Sequence, residues 1–152
     1  MVNPTAEDFG QPDIAFSGFQ LWIHGGAPQE FQDYWDGNWL NVTAHCGAMG
    51  ADVWAQGTIL HLGQLGQWLK ELEEMSRTMS GKAEFSPVEP NLYVKFEMDK
   101  LGHVAVQTDI TPEHLSQSHE FREQIDQSYL PDLVRQIRTV LQNYPIRGET
   151  PS

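Results

Sequence analysis

Hydrophobic and polar residues alternate along several short stretches of the chain, and this period of two is typical of strands with one buried face. In the first stretch, Phe19, Leu21 and Ile23 occupy every second position. Turn residues separate the stretch at 39–47 from that at 51–60, and the stretch at 92–98 from that at 104–110. Two antiparallel hairpins are therefore predicted. The predicted strands cover residues 13–24, 39–47, 51–60, 92–98, 104–110 and 119–127.

Two other stretches carry apolar residues at every third or fourth position, which predicts helices that bury one face. The first stripe covers residues 65–79, with Gly81 as the predicted C-terminal cap. The second stripe covers residues 133–144 and lies between Pro131 and Pro145. Proline suits both positions, because the first turn of a helix does not need its N–H and a proline after the last turn stops the helix.

Together these elements predict an α+β fold, with one antiparallel sheet of about six strands and both helices packed on one face. The segment between the first helix and the fourth strand contains Pro87 and Pro90 and is predicted to be a loop. A single domain is expected over residues 13–148, after a flexible N-terminal arm at 1–12. We expect the chain to fray from Arg147 onward, with residues 149–152 as a C-terminal tail.

The composition is that of a folded and acidic protein. Hydrophobic residues make up 39% of the 152 positions, and the formal net charge is −12. This charge disfavours direct binding to nucleic acid or to an anionic membrane and favours a basic partner. One cysteine, Cys46, excludes an internal disulfide. Because neither a targeting segment nor an apolar membrane span is recognisable, we expect a cytoplasmic protein.

Charged and aromatic residues are unevenly distributed along the chain. Residues 1–69 contain no Lys or Arg, and all five tryptophans lie there. Unpaired acids interleaved with large rings are typical of protein-binding surfaces, whereas the alternative is that the rings fill the core and the acids are solvated. The acids of this half are Glu7, Asp8, Asp13, Glu30, Asp33, Asp36 and Asp52, and the tryptophans are Trp22, Trp35, Trp39, Trp54 and Trp68.

The search for catalytic chemistry is negative. The chain lacks the motifs of nucleophilic, phosphate-binding and dinucleotide-binding sites. Its six histidines lack the spacing of a helical metal pair, and His45 and Cys46 point to opposite faces of a predicted strand. Glu113 and His114 are a fragment of an acid–base pair in a predicted loop, with no nucleophile beside them. We therefore predict no catalytic residue, no bound metal and no cofactor.

The densest local feature is an acidic and aromatic turn just before the second predicted strand. An Asp-Gly pair at 36–37 is a strong turn signal there. The rings would either hold the edge of the strand or stay exposed to contact a partner, and the two interpretations are compatible. We predict a partner-binding surface formed by Asp33, Tyr34, Trp35, Asp36 and Trp39.

Four strings of residues accompany this feature in a fixed order. They are YWDGNWL at 34–40, SGKAEF at 80–85 with its Pro87-x-x-Pro90 continuation, QSYLP at 127–131 and YPIRG at 144–148. In this order they resemble the immunity proteins of the WapI type, over about residues 14–148. The resemblance implies a small cytoplasmic protein that binds and neutralises the toxic C-terminal domain of a polymorphic, cell-wall-associated toxin. Such toxin domains are often nucleases.

Two hypotheses from different classes follow. In the first, the chain is a non-catalytic immunity protein, and its acidic first half occupies the phosphate-binding surface of a basic nuclease domain. In the second, the chain is a small enzyme or ligand-binding domain whose site is assembled from distant residues. A deep pocket lined by His45, His103 and acidic side chains would favour the second hypothesis.

Overall fold

The structure is a computed structural model that describes residues 8–151, so residues 1–7 of the predicted arm and Ser152 lie outside the described residues. In the described range, neither helix is long and apolar enough to cross a membrane. A short 3-10 turn at Gln127–Tyr129 leads into the second helix. The strands are β1 (Ile14–Phe16), β2 (Phe19–Gly26), β3 (Trp39–Ala48), β4 (Ala51–His61), β5 (Gly81–Phe85), β6 (Leu92–Met98), β7 (His103–Ile110) and β8 (Glu120–Asp126), and the helices are α1 (Leu62–Thr78) and α2 (Leu130–Asn143).

The strands form two antiparallel sheets of four, sheet A in the order β1-β2-β3-β4 and sheet B in the order β5-β6-β7-β8. The α+β class is confirmed, but the prediction of one sheet with about six strands is wrong. A turn at Ser17, whose φ is 49°, divides the first predicted strand into β1 and β2. The segment predicted to be a loop contains β5, in which Ala83 pairs with Phe96 of β6.

One hydrophobic core joins both sheets and both helices. The indole of Trp68 on α1 contacts the rings of Phe85 and Phe96 of sheet B, each with a centroid distance of 5.6 Å. The same indole lies 6.3 Å from the ring of Phe16 in sheet A. Because large rings bury much apolar area, this contact point anchors the helix to both sheets.

Both predicted helical stripes face this core. Leu72 of α1 and Ile137 of α2 are fully buried, and the two helices also pack against each other. The prediction that the apolar stripe of α1 is buried as far as residue 79 is wrong at this last position, since the side chain of Met79 is 44% exposed. Met79 itself is the C-terminal cap of α1, with a left-handed φ of 56°, and Gly81 begins β5 instead of capping the helix.

The outer face of sheet A carries a second, smaller aromatic layer. Trp22 of β2 and Trp54 of β4 stack with their centroids 5.8 Å apart. The ring of Phe9 contacts Trp22 at 5.4 Å, and the indole N–H of Trp22 donates to the carbonyl oxygen of Gly10 over 3.0 Å. Residues 9 and 10, at the end of the predicted arm, therefore lie against this sheet.

Candidate partner-binding loop

The loop between β2 and β3 holds four of the five residues predicted to bind a partner. Its turn is closed by Asp33, whose carboxylate accepts from the N–H of Asp36 over 3.1 Å. The carbonyl oxygen of Asp33 accepts from the N–H of Gly37 over 2.9 Å. A Cβ at Gly37 would lie 2.6 Å from the carbonyl oxygen of Phe31, so this close backbone approach requires glycine.

A buried asparagine fastens the loop to the far end of the chain. The amide of Asn38 donates to the carbonyl oxygens of Tyr34 over 2.7 Å and Arg147 over 2.8 Å, and its side-chain oxygen accepts from the N–H of Arg147 over 2.8 Å. The guanidinium of Arg147 donates to the carbonyl oxygens of Pro28 and Phe31, each over 2.9 Å. The prediction that the chain frays from Arg147 is therefore wrong, because Asn38 and the loop carbonyls hold that residue.

A buried histidine supports the aromatic part of the loop. The Nδ1 atom of His61 accepts from the N–H of Gly63 over 3.1 Å and so caps α1. Burial lowers the pKa of His61 from its ordinary value of 6.5, although main-chain carbonyls that accept from the ring oppose this effect. The rings of Tyr34, Trp35 and Trp39 surround the imidazole, with centroid distances of 5.0, 5.4 and 5.1 Å.

The five predicted residues, which we call the acidic aromatic patch, differ in exposure. Trp35 is 51% exposed, and the carboxylates of Asp33 and Asp36 are also exposed. Tyr34 and Trp39 are half-buried, because their rings pack on His61. The patch thus combines two half-buried rings packed on His61 with one exposed indole and two exposed carboxylates.

A cleft of about 490 Å³ opens beside this patch and includes Asp36 and Trp39 in its lining. It also includes Phe31, whose ring is 43% exposed, and two polar residues of sheet A, Asn41 and Thr58. Sequence reasoning missed Phe31, although a large apolar residue in a loop that follows Pro28 was a usable signal. The cleft joins the loop to the outer face of sheet A.

The histidines and the cysteine that were considered for metal binding or catalysis make local contacts instead. His45 pairs with Asp52 over 2.7 Å, and His103 pairs with Asp99 over 3.4 Å, so these histidines lie in separate pairs rather than in one pocket. Burial, followed by the nearby charge of Glu123, raises the pKa of the Cys46 thiol to about 12. Within residues 8–151, no three His, Cys, Asp or Glu side chains are grouped so that they could hold a metal ion.

Glu113 of the predicted acid–base fragment also serves its own turn. Its carboxylate accepts from the N–H groups of Leu115 over 3.0 Å and Ser116 over 2.9 Å. The bond from the Ser116 hydroxyl and these main-chain bonds lower the pKa of Glu113. The carboxylate is therefore held in its charged form, which closes a turn.

Comparison with known families identifies the family of the chain. The family model of the immunity protein WapI-like family matches residues 12–145, which is most of the chain. The chain belongs to this family. No curated protein and no solved structure matches the chain. Family membership assigns the role of an immunity protein, and the resemblance found in the four sequence strings is confirmed.

Proposed function

We propose that this protein neutralises a basic toxin domain, such as a nuclease domain, by binding it without catalysis in the cytoplasm. The observation that carries this proposal is the exposed indole of Trp35, close in sequence to the exposed Asp33 and Asp36, in a chain of an immunity protein family. An aromatic anchor supplies binding energy, and the neighbouring charges steer a basic partner toward it.

The construction of the loop supports this proposal. Asn38 and His61 hold the backbone that carries the patch, so the exposed side chains require little ordering when a partner binds. A preorganised surface loses less conformational entropy on association than a flexible one. A nuclease must present a basic surface to nucleic acid phosphates, and carboxylates fixed in place can pair with the same cationic side chains.

We expect a polymorphic toxin gene beside the gene of this chain, and the direct test is protection from the C-terminal domain of that toxin. Co-expression of the two proteins is expected to restore growth, and the purified pair is expected to form a stable complex. Trp35→Ala should weaken this complex by at least about 1 kcal/mol, as expected for a central aromatic contact. Tyr129→Ala is the matched control, since Tyr129 is a comparably exposed ring, 45% against 51%, that lies outside the patch.

Three results would overturn the proposal. The first is a wild-type chain that neither protects cells nor binds the toxin domain. The second is a complex in which Trp35→Ala and Tyr129→Ala weaken binding equally. The third is turnover of the toxin domain or of its substrate by the purified immunity protein, because the proposal assigns no catalysis.

A further inference from the structure

The acidic aromatic patch is too small to account for a stable protein complex. A standard interface uses about 20 to 30 residues on each side and buries about 800 Å² of each partner. The five side chains of the patch cover a fraction of that area. The loop must therefore adjoin a larger surface that the same partner covers.

The cleft identifies that adjoining surface. Asn41 of β3 and Thr58 of β4 are direct neighbours in the antiparallel register, and both line the cleft together with Asp36. Two further rows follow on the same face of sheet A. They pair Thr43 with Gln56 and His45 with Trp54. The outer face of sheet A thus continues from the patch to Trp54, where Phe9 packs on the ring cluster and Thr43 is buried beneath its neighbours.

This face is built entirely from the part of the chain that lacks cations. All nine Lys and Arg residues occur from Lys70 onward. Within residues 8–151, the ion pairs made by Lys and Arg use acids from Glu73 onward. Asp52 pairs instead with His45, and the carboxylate of Asp13 accepts from a main-chain N–H. The helices and sheet B therefore balance much of their own charge. The guanidinium of Arg147, which lies against the loop between β2 and β3, bonds main-chain carbonyl oxygens and not a carboxylate.

The far end of the face carries a packed aromatic cluster with the exposed carboxylate of Asp52 beside it. The half-buried indole of Trp54 is stacked against Trp22 at an interplanar angle of 13°. The imidazole of His45 lies 4.3 Å from Trp54, with Asp52 beside it. A partner guanidinium can pair with this exposed carboxylate next to the packed rings.

We propose that the toxin domain docks on the outer face of sheet A, from the acidic aromatic patch to Trp54, through a surface rich in arginine and lysine. This inference rests on the proposed function and extends its binding site across the sheet. A second copy of this chain is disfavoured as the occupant, because the same uncompensated carboxylates would then face each other. Nucleic acid is disfavoured on the same electrostatic ground.

The test introduces cations on this face. Gln56→Arg and Thr58→Arg each add one positive charge at an exposed position of the edge strand β4. Gln124→Arg is the matched control, because Gln124 is exposed on β8, the edge strand of sheet B. We expect each β4 variant to bind this toxin domain at least about tenfold more weakly than wild type, as for a cation placed against a basic partner surface. Binding by the control should stay within about twofold of wild type, as for a change outside an interface. Thermal unfolding of each variant verifies its fold.

A second measurement does not depend on the toxin. Octa-arginine peptide is titrated into the wild-type chain, and backbone amide shifts are recorded by NMR. We expect the shifts to cluster on β2, β3 and β4, and Gln56→Arg to weaken the binding of the peptide.

The outcomes separate the two proposals. If the wild type neither binds nor protects against the toxin domain, the proposed function fails, whatever octa-arginine does. If the wild type protects and both β4 variants bind the toxin as tightly as the Gln124→Arg control, the docking face is wrong and the proposed function stands. Octa-arginine shifts centred on sheet B or on the helices would also overturn the docking face.

Discussion

The imidazole of His61 donates from Nε2 to the main-chain carbonyl oxygen of Tyr34 across 3.0 Å. Because Nδ1 of the same ring accepts from the N–H of Gly63, His61 must be neutral and protonated on Nε2. One ring therefore couples the start of α1 to the loop that carries the patch. A second proton on this ring would break the cap.

The coupling predicts that stability falls in mild acid. Burial lowers the pKa of His61 in the folded state below its ordinary value of 6.5, so the unfolded chain binds the proton more tightly. The contribution of neutral His61 to the free energy of unfolding is fully present above pH 6.5 and is lost as the pH falls below this value. The slope of this loss is at most about 1.4 kcal/mol per pH unit. The free energy of unfolding in urea should therefore be lower at about pH 5.5 than at about pH 7.5.

The variant His61→Asn isolates this effect from the other histidines. Asparagine caps helices well but does not titrate in this range. The difference in unfolding free energy between wild type and His61→Asn should shrink as the pH falls. A difference that stays constant with pH would show that His61 does not titrate on unfolding.

A methyl group at Gly63 should destabilise the protein, although alanine ordinarily favours a helix by up to about 1 kcal/mol. A Cβ there would lie 2.5 Å from Cζ of Tyr34, so the tyrosine ring must move off His61. We expect Gly63→Ala to cost about 1 to 3 kcal/mol in urea unfolding, as for other overpacked sites. At Gly66 the nearest atom is the flexible end of Ile146, 3.1 Å away. Equal stability of Gly63→Ala and Gly66→Ala would contradict the assigned packing of Tyr34.

Removal of the Asn38 amide should loosen the loop as well as the fold. Asn38→Ala removes the Asn38 partner from the part-buried N–H and carbonyl oxygen of Arg147 and leaves the carbonyl oxygen of Tyr34 to His61, at an expected cost of about 1 to 3 kcal/mol. Hydrogen exchange at the N–H of Arg147 should speed up more than exchange in α1. The exposed Asn143 supplies the control, because Asn143→Ala should change stability by less than about 0.5 kcal/mol.

Truncation in the core tests the assigned helical face. Ile137 is fully buried on α2, so Ile137→Ala should cost about 2 to 5 kcal/mol of unfolding free energy. Leu141→Ala provides a comparison, since Leu141 on the same helix is only partly buried and should cost less. A cost below about 0.5 kcal/mol at Ile137 would place this side chain outside a packed core.

The kinetics of toxin binding should distinguish the effect of the patch carboxylates from the effect of the Trp35 ring. Added salt should slow association more than it speeds dissociation, because exposed charges act through a field screened over about 8 Å at physiological ionic strength. Asp36→Asn should lower the association rate, whereas Trp35→Ala should mainly raise the dissociation rate. Asp36 is the cleaner site, because the carboxylate of Asp33 also closes the turn. Association rates that do not respond to salt would exclude electrostatic steering.

The local elements could be predicted because their signals are local. Alternation along β3 and the stripe of α2 appear within a few residues of sequence. The division into two sheets could not be predicted in this way, since it depends on which strand edges pair, as between Ala83 and Phe96. The same limit applies to the site. Five patch residues are adjacent in sequence, but the groups that hold them, His61 and Arg147, come from distant segments and become visible only in three dimensions.

The bond between Asn38 and Arg147 has a consequence for the order of events during synthesis. The two residues are 109 positions apart. A ribosome that makes this chain releases both sheets and both helices before the residue that fastens the loop between β2 and β3 emerges. N-terminal domains generally fold first during synthesis. The loop between β2 and β3, however, gains its bonds to Arg147 only after almost all of the described chain has emerged. A nascent chain stalled before Arg147 would already contain every strand of both sheets and would present Trp35 on a loop that Asn38 and His61 hold without Arg147.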